Sequence, residues 1–164
     1  MIRSARAADA PGIAAIWNPI IRDTVVTFWP TEREPGEIAE MIAARQSQGH
    51  AFLVAEGTEG ITGFAATTQF RGGAGYARTL EHTVHVAPHC RGQGLGRALM
   101  AAIQDHSRQG GARNLIGAVT ASNGESLTFH ARLGFTEWGR IPNAGWKFGQ
   151  FHDLVFVGKD LTGG

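Results

Sequence analysis

Glu81 opens the run EHTVHVAPHCRGQGLGRALM, residues 81–100, and its carboxylate is suited to taking a proton from an amine. An ammonium must lose a proton before its nitrogen can attack a carbonyl, and a carboxylate accepts that proton directly or through one water. A core-strand glutamate paired to an arginine is the structural alternative. Beyond it stands Arg91-Gly92-Gln93-Gly94-Leu95-Gly96, then Arg97. Strand character stops at Val86, Pro88 removes a backbone donor, and helical spacing begins inside the glycines. The first amides of a helix lack internal partners and carry the positive end of its dipole. Glycine allows positive φ and a close approach of backbone to ligand. Together these features describe a seat for phosphate groups. No Gly-Lys-Ser/Thr follows, which excludes a standard Walker loop. A dinucleotide fingerprint needs Gly or Ala where this chain has Leu99. A glycine-rich turn without a ligand is the plain alternative.

The histidines invite a metal reading. His82, His85 and His89 are close in sequence, but His82 and His85 project from opposite faces of a strand. No HExxH helix is present, so the expected chemistry has no metal. Cys90 beside Arg91 reads as an incidental loop thiol, because a nucleophilic cysteine needs a base poised against it. A lone cysteine fits a reducing, cytoplasmic setting. Fifteen Lys+Arg against fourteen Asp+Glu give a formal charge of +1, which points to neither nucleic acid nor an anionic membrane. No apolar run approaches the ~20 residues of a membrane helix, and the N-terminus does not resemble a secretory signal. With 43% hydrophobic and 18% charged residues, the chain is expected to fold as a single domain, 1–164.

The elements that must position these groups follow from periodicity. Residues 2–6 read as a short strand. Asp9 and Pro11 open a helix with Ile13, Ile16, Trp17 and Ile20 at helical spacing, and Pro19 is expected to end or kink it. A second helix starts near Glu34-Pro35, carries Ile38, Met41, Ile42 and Arg45 on one face, and stops at Gly49. Apolar runs at 51–56 and 61–68 flank GTEG as a hairpin. Residues 71–75 form a loop, and strand character returns over 76–86. Leu95, Leu99 and Ile103 mark a long helix ending at Gly110-Gly111. Residues 115–119 form a buried strand, and Ser122 with Glu125 makes a capping box for a helix closed by Gly134. Strands at 135–141 and 151–157 complete the chain. The order β-α-α-β-β-β-α-β-α-β-β predicts an α/β fold: a mixed, mostly antiparallel sheet with helices on both faces.

Arg91-x-x-Gly94-x-Gly96, between a strand and a helix, resembles the R/Q-x-x-G-x-G/A signature of the GNAT superfamily of N-acyltransferases. Over nearly its whole length the chain resembles a narrower family, the phosphinothricin and methionine sulfoximine/sulfone N-acetyltransferases. The likeness rests on IWNPII (16–21), Thr27-Phe28, Phe70-Arg71, Tyr76, the 81–99 block, ASNGES (121–126), FHARLGF (129–135), GWKFGQFHDLVF (145–156) and KDL (159–161). Three positions depart from that family: Trp29 stands where it usually has an acid, Gly73 where it often has a second arginine, and His85 where it has a tyrosine.

The resemblance implies a GNAT fold and acetyl transfer from acetyl-CoA to the amino group of a small amino-acid-like molecule. The candidates are phosphinothricin, methionine sulfoximine and methionine sulfone. Another GNAT acceptor, such as a protein or peptide N-terminus, and a non-catalytic CoA-binding module are the alternatives. By resemblance Glu81 is the base and His130 the acid for the leaving thiolate, although a satisfied helix histidine is an alternative for the latter. The fourth and fifth strands splay to admit acetyl-CoA. Val84, His85 and Val86 then meet pantetheine and thioester. Arg91, Gly92, Gln93, Gly94, Gly96 and Arg97 hold the pyrophosphate, and Asn123 and Ser126 touch the pantetheine arm. Asn123 also suits a helix start. Phe28, Arg71, Tyr76 and Glu81 line the acceptor site, with a solvated loop charge as the alternative for Arg71. A homodimer through the C-terminal strands is implied as well.

Overall fold

Alternation along the strands decides which helices cover which face of the sheet. In the computed structural model, which describes residues 1–163, Phe52, Val54, Phe64 and Ala66 pack with Ile13, Trp17, Ile38 and Ile42. Their strand neighbours Leu53, Ala55 and Ala65 pack instead with Leu99, Met100 and Ile103. Residues two apart share a face, so one period-2 pattern builds two cores and places helices on both sides.

The elements are β1 (Ile2–Ser4), α1 (Ala10–Asp23), α2 (Pro35–Ser47), β2 (Phe52–Gly57), β3 (Gly60–Gln69), β4 (Thr79–Val86), α3 (Leu95–Gln109), β5 (Asn114–Thr120), α4 (Gly124–Arg132), β6 (Thr136–Lys147) and β7 (Gln150–Asp160). They give one seven-stranded sheet, ordered β1-β2-β3-β4-β5-β7-β6. Only β4 and β5 pair in parallel; the remaining pairs are antiparallel. The expected α/β class and element order are those observed.

The parallel pair is short. Its register runs from Thr79↔Asn114 to His82↔Gly117. β4 continues to Val86, held on its other edge by β3 up to Gly63↔Val86. β5 continues to Thr120, held by β7 up to Leu154. Past His82 the two strands therefore separate, as the expected splay requires.

Several boundaries differ from the sequence reading. Pro19 neither ends nor visibly breaks α1, which runs on to Asp23. Proline at 19 deprives the Ala15 carbonyl of its helical donor, but Ala15 and Pro19 both lie on the exposed face, where solvent can replace it. Tyr76 belongs to a 3₁₀ turn, and β4 begins at Thr79. The Gln69 amide donates to the Arg71 and Gly73 carbonyls and holds that loop out of the sheet. The cap of α4 is Asn123 rather than Ser122. β6 extends past 141 to Lys147 through register shifts after Glu137 and Ile141.

Lys147 ties this C-terminal hairpin to the last turn of α1 and to the segment that follows it. Its buried ammonium donates to the Ile21 and Thr27 carbonyls at 2.6 and 2.8 Å. The Thr120 hydroxyl donates to the Val25 carbonyl at 2.6 Å. Phe28 stacks on His152 and covers Gly145, where a Cβ would strike its ring. Lys147→Met keeps the stem and removes both charge-assisted bonds, whose loss costs about 1.5–3 kcal/mol. Urea denaturation should show that loss, and an unchanged midpoint would make the tie dispensable.

Candidate active site

The separated ends of β4 and β5 open into a cleft of about 1480 Å³. Its walls come from β4, β5, the starts of α3 and α4, and the Thr24–Arg33 segment that Lys147 and Thr120 hold. Backbone past His82 lacks a strand partner on this side, and such groups require water or a ligand. Of the expected residues, Phe28, Glu81, Val84, His85, Val86, Arg91, Gly92, Gly94, Gly96, Arg97, Asn123, Ser126 and His130 line this one cleft.

The glycine segment has the expected conformation. Gly92 and Gly94 have φ of 76° and 81°, which favours glycine at both. A Cβ on either meets no atom within 4 Å, so conformation and not crowding explains the residue type. Ala98 N–H to Gly94 C=O is the first bond of α3, leaving the amides of Leu95, Gly96 and Arg97 without helical partners. Gly96 has a different reason. A Cβ there would stand 3.3 Å from the Phe129 ring, so this glycine lets α4 approach α3. The Arg91 Nε donates to the Val86 carbonyl at 3.3 Å, and the Gln93 amide turns back to the His89 carbonyl. Asn123 Oδ1 accepts from the Ser126 amide at 3.2 Å.

Glu81 has no hydrogen-bond or ion-pair partner among the described residues, so it is not the arginine-paired core glutamate of the structural alternative. Burial raises its pKa above the ordinary carboxylate value, and the charge of Arg45 works against that rise. A carboxylate of raised pKa is a better base. Two arginines not anticipated as site residues line the same cleft. Arg33 is stacked between Trp17 and Trp29, its guanidinium carbon 4.6 and 4.3 Å from the ring centres. Arg45 reaches in from α2.

His130 is buried, and its Nδ1 lies 2.7 Å from the Ser126 carbonyl. A carbonyl only accepts, so Nδ1 carries the proton. In the neutral ring Nε2 is then bare and accepts from His82 Nε2, 2.9 Å away. Phe129 and Phe135 contact the His130 ring edge-on. A Cβ on Gly117 would stand 2.9 Å from the His82 ring and 3.2 Å from His130 Nε2, so the pair occupies the space a side chain would take. Burial, with the nearby His130, pushes His82 down to about 3, and burial also lowers His130. Burial and the Arg91 charge push His85 down to about 4.

These histidines set an acid limit on stability. Below about 6.5 the unfolded chain binds protons that the folded protein refuses, so stability is full above that pH and falls as pH drops toward the folded values. The urea midpoint should fall between pH 7 and pH 5, and His85→Phe should fall less. Equal falls in both proteins would exclude His85 from the effect.

Arg71 and Tyr76 do not join the cleft. They lie exposed on the loop before β4, with the Arg71 guanidinium 5.9 Å from the Tyr76 ring centre. Among the described residues there is no cluster of three or more His, Cys, Asp or Glu able to hold a metal ion, and no helix is long and apolar enough to cross a membrane.

Comparison with known proteins agrees with this geometry. The Acetyltransferase (GNAT) family model matches residues 18–135. An L-methionine sulfoximine/L-methionine sulfone acetyltransferase of Pseudomonas paraeruginosa is 35% identical, over 98% of this chain and 94% of its own length. A phosphinothricin N-acetyltransferase of Alcaligenes faecalis is 34% identical, over 99% and 83%. A Salmonella typhimurium acetyltransferase solved with its cofactor acetyl-CoA superposes with a TM-score of 0.94 at 32% identity, covering 98% of this chain and 93% of the other. A sheet opened between β4 and β5, a glycine-led helix at the opening and a family match over most of the length together make this chain a member of the GNAT family of acetyltransferases.

Proposed function

We propose that the protein transfers acetyl from acetyl-CoA to the α-amine of a small amino acid whose side chain ends in a sulfone, sulfoximine or phosphinate. The observation that carries this reading is the single cleft joining Glu81 to the left-handed glycines across the open edge of β4. In it, the pyrophosphate of CoA meets the free amides at the start of α3 and the charge of Arg97. Pantetheine lies along Val84–Val86, with Asn123 and Ser126 on the opposite wall. A backbone amide of the open edge steadies the carbonyl oxygen as it gains charge. Glu81 takes the amine proton, the nitrogen–carbon bond forms, the carbon–sulfur bond breaks, and CoA leaves as thiolate.

His130 is proposed as the source of the thiolate's proton. Neutral, the His82–His130 pair has no proton on His130 Nε2 to give. A proton taken up from bulk water by the pair, against the burial that lowers both rings, puts one on His130 Nε2, and that proton then neutralises the thiolate. Support for Arg71 and Tyr76 as acceptor contacts is the resemblance alone. A cytoplasmic setting suits the co-substrate and the single free cysteine. The homodimer is proposed on the hairpin of β6 and β7, where Trp146, Phe148 and Phe151 are about 60% exposed, more apolar surface than a monomer usually leaves together. Sedimentation should give twice the chain mass, and Phe151→Glu should reduce it; a monomer at micromolar concentration would remove this interface.

The function is tested by thiol release with an amine panel. Methionine sulfone, methionine sulfoximine and phosphinothricin should each release CoA thiol, and Glu81→Gln should lower turnover by roughly 10²–10⁴-fold. Calorimetry should find acetyl-CoA affinity nearly unaltered in that variant. Because Glu81 must be ionised, the rate should fall as pH drops through its raised pKa. Release with peptides alone would transfer the activity to another acceptor class. Tight CoA binding without release would make the chain a binding module.

A further inference from the structure

We infer that Arg33 and Arg45 form the seat for the carboxylate of the acceptor amino acid. The inference rests on the proposed acetyl transfer and adds how the acceptor is held. Both arginines line the cleft that contains Glu81. Neither guanidinium has a hydrogen bond or an ion pair among the described residues, although the half-buried arginine at the sheet edge, Arg3, binds Asp9 and Glu56. The Arg33 Nε is buried and unpartnered. Arg33 and Arg45 are half-buried; charges drawn partly out of water are ordinarily paired, and two left open in one cleft ask for an anion from outside.

Arg33 is held for that purpose. Stacking between Trp17 and Trp29 restrains the planar guanidinium and leaves its edge available, and edge-on donation is how a guanidinium grips a carboxylate. Arg45, in the last turn of α2, also favours the negative end of that helix. All three groups line the one cleft, and within it the charge of Arg45 bears on Glu81 as that of Arg33 bears on Arg45. Two guanidiniums and one carboxylate leave one positive charge in excess. An amino-acid zwitterion matches this pattern, with its ammonium toward Glu81 and its carboxylate toward the arginines.

Chain geometry favours the carboxylate over the distal oxo group. In an α-amino acid the carboxyl carbon is two bonds from the nitrogen, roughly 2.5 Å away by standard bond lengths. When Glu81 receives the amine proton, the carboxylate must lie in the immediate surroundings of Glu81. Arg45 is the cation there, whereas Arg71 lies outside the cleft.

The test compares methionine sulfone with its carboxamide, in wild type, Arg33→Met and Arg45→Met, by kcat/KM from thiol release. The amide keeps the amine and the sulfone and removes only the anion. The preference for carboxylate over carboxamide should drop by roughly 10–100-fold in either variant, the scale of one charge-assisted hydrogen bond. The loss should fall in KM for the amino acid. Acetyl-CoA calorimetry reports folding, and should a methionine variant fail it, Arg33→Lys and Arg45→Lys retain charge, remove the fork and should still lower the preference. An unchanged preference, with either no loss or equal losses for both acceptors, would overturn the seat and leave the acetyl transfer standing. No thiol release by wild type with either compound would overturn the transfer and the seat together.

Discussion

A parallel strand pair that stops after four registered positions leaves backbone donors and acceptors facing one another across a gap. β4 cannot close that gap because β3 fixes its other edge as far as Val86, and β5 cannot because β7 fixes it as far as Leu154. Each strand is committed to an outer neighbour, so their separation is a property of the sheet and not of a mobile loop. The elements of the site assemble around this opening. The glycine turn follows directly from the end of β4, the Asn123 cap follows from the end of β5, and the Thr24–Arg33 segment is drawn over the mouth by bonds from Lys147 and Thr120. Glu81 lies just before the divergence, at the register Glu81↔Ile116, where the strand is still held on both edges. A base needs a fixed position, and a ligand needs unpaired backbone; one short strand supplies both.

Much of this was legible in the sequence because the determinants are local. Continuous apolar runs at 51–56 and 61–68 specify strands with two buried faces, and both faces are used. The glycines at 92 and 94 precede a helical period and acquire the left-handed φ expected of such a turn. The points where local pattern fails depend on surroundings that it does not contain. Pro19 is tolerated because it faces outward. Ser122 and Asn123 are equally good caps in isolation, and the turn closed by Asn123 N–H to Thr120 C=O selects Asn123. Arg33 and Arg45 escape sequence reasoning altogether. They are twelve apart, on a loop and a helix, and no spacing rule brings them to Glu81, which comes from the sheet. The available signal was Arg45 on the apolar face of its helix, a position where an arginine without a purpose is uncommon.

Gly96 and Gly117 also belong with long-range causes. In sequence Gly96 reads as part of a phosphate-binding run, yet its missing Cβ makes room for Phe129. Gly117 reads as an ordinary small residue in a buried strand, and the place of its missing Cβ is filled by the rings of His82 and His130.

That last contact links three positions through space. Residue 117 has room for a side chain only if the rings at 82 and 130 shrink or part, and a smaller residue at 82 or 130 leaves a void that residue 117 can fill. Among homologous proteins the three sites are therefore expected to vary as a set, a bulky pair accompanying glycine and a reduced pair permitting alanine or serine. Such covariation would carry the packing rule of one hydrogen-bonded pair into the divergence of the whole lineage, independently of which acceptor each member acetylates.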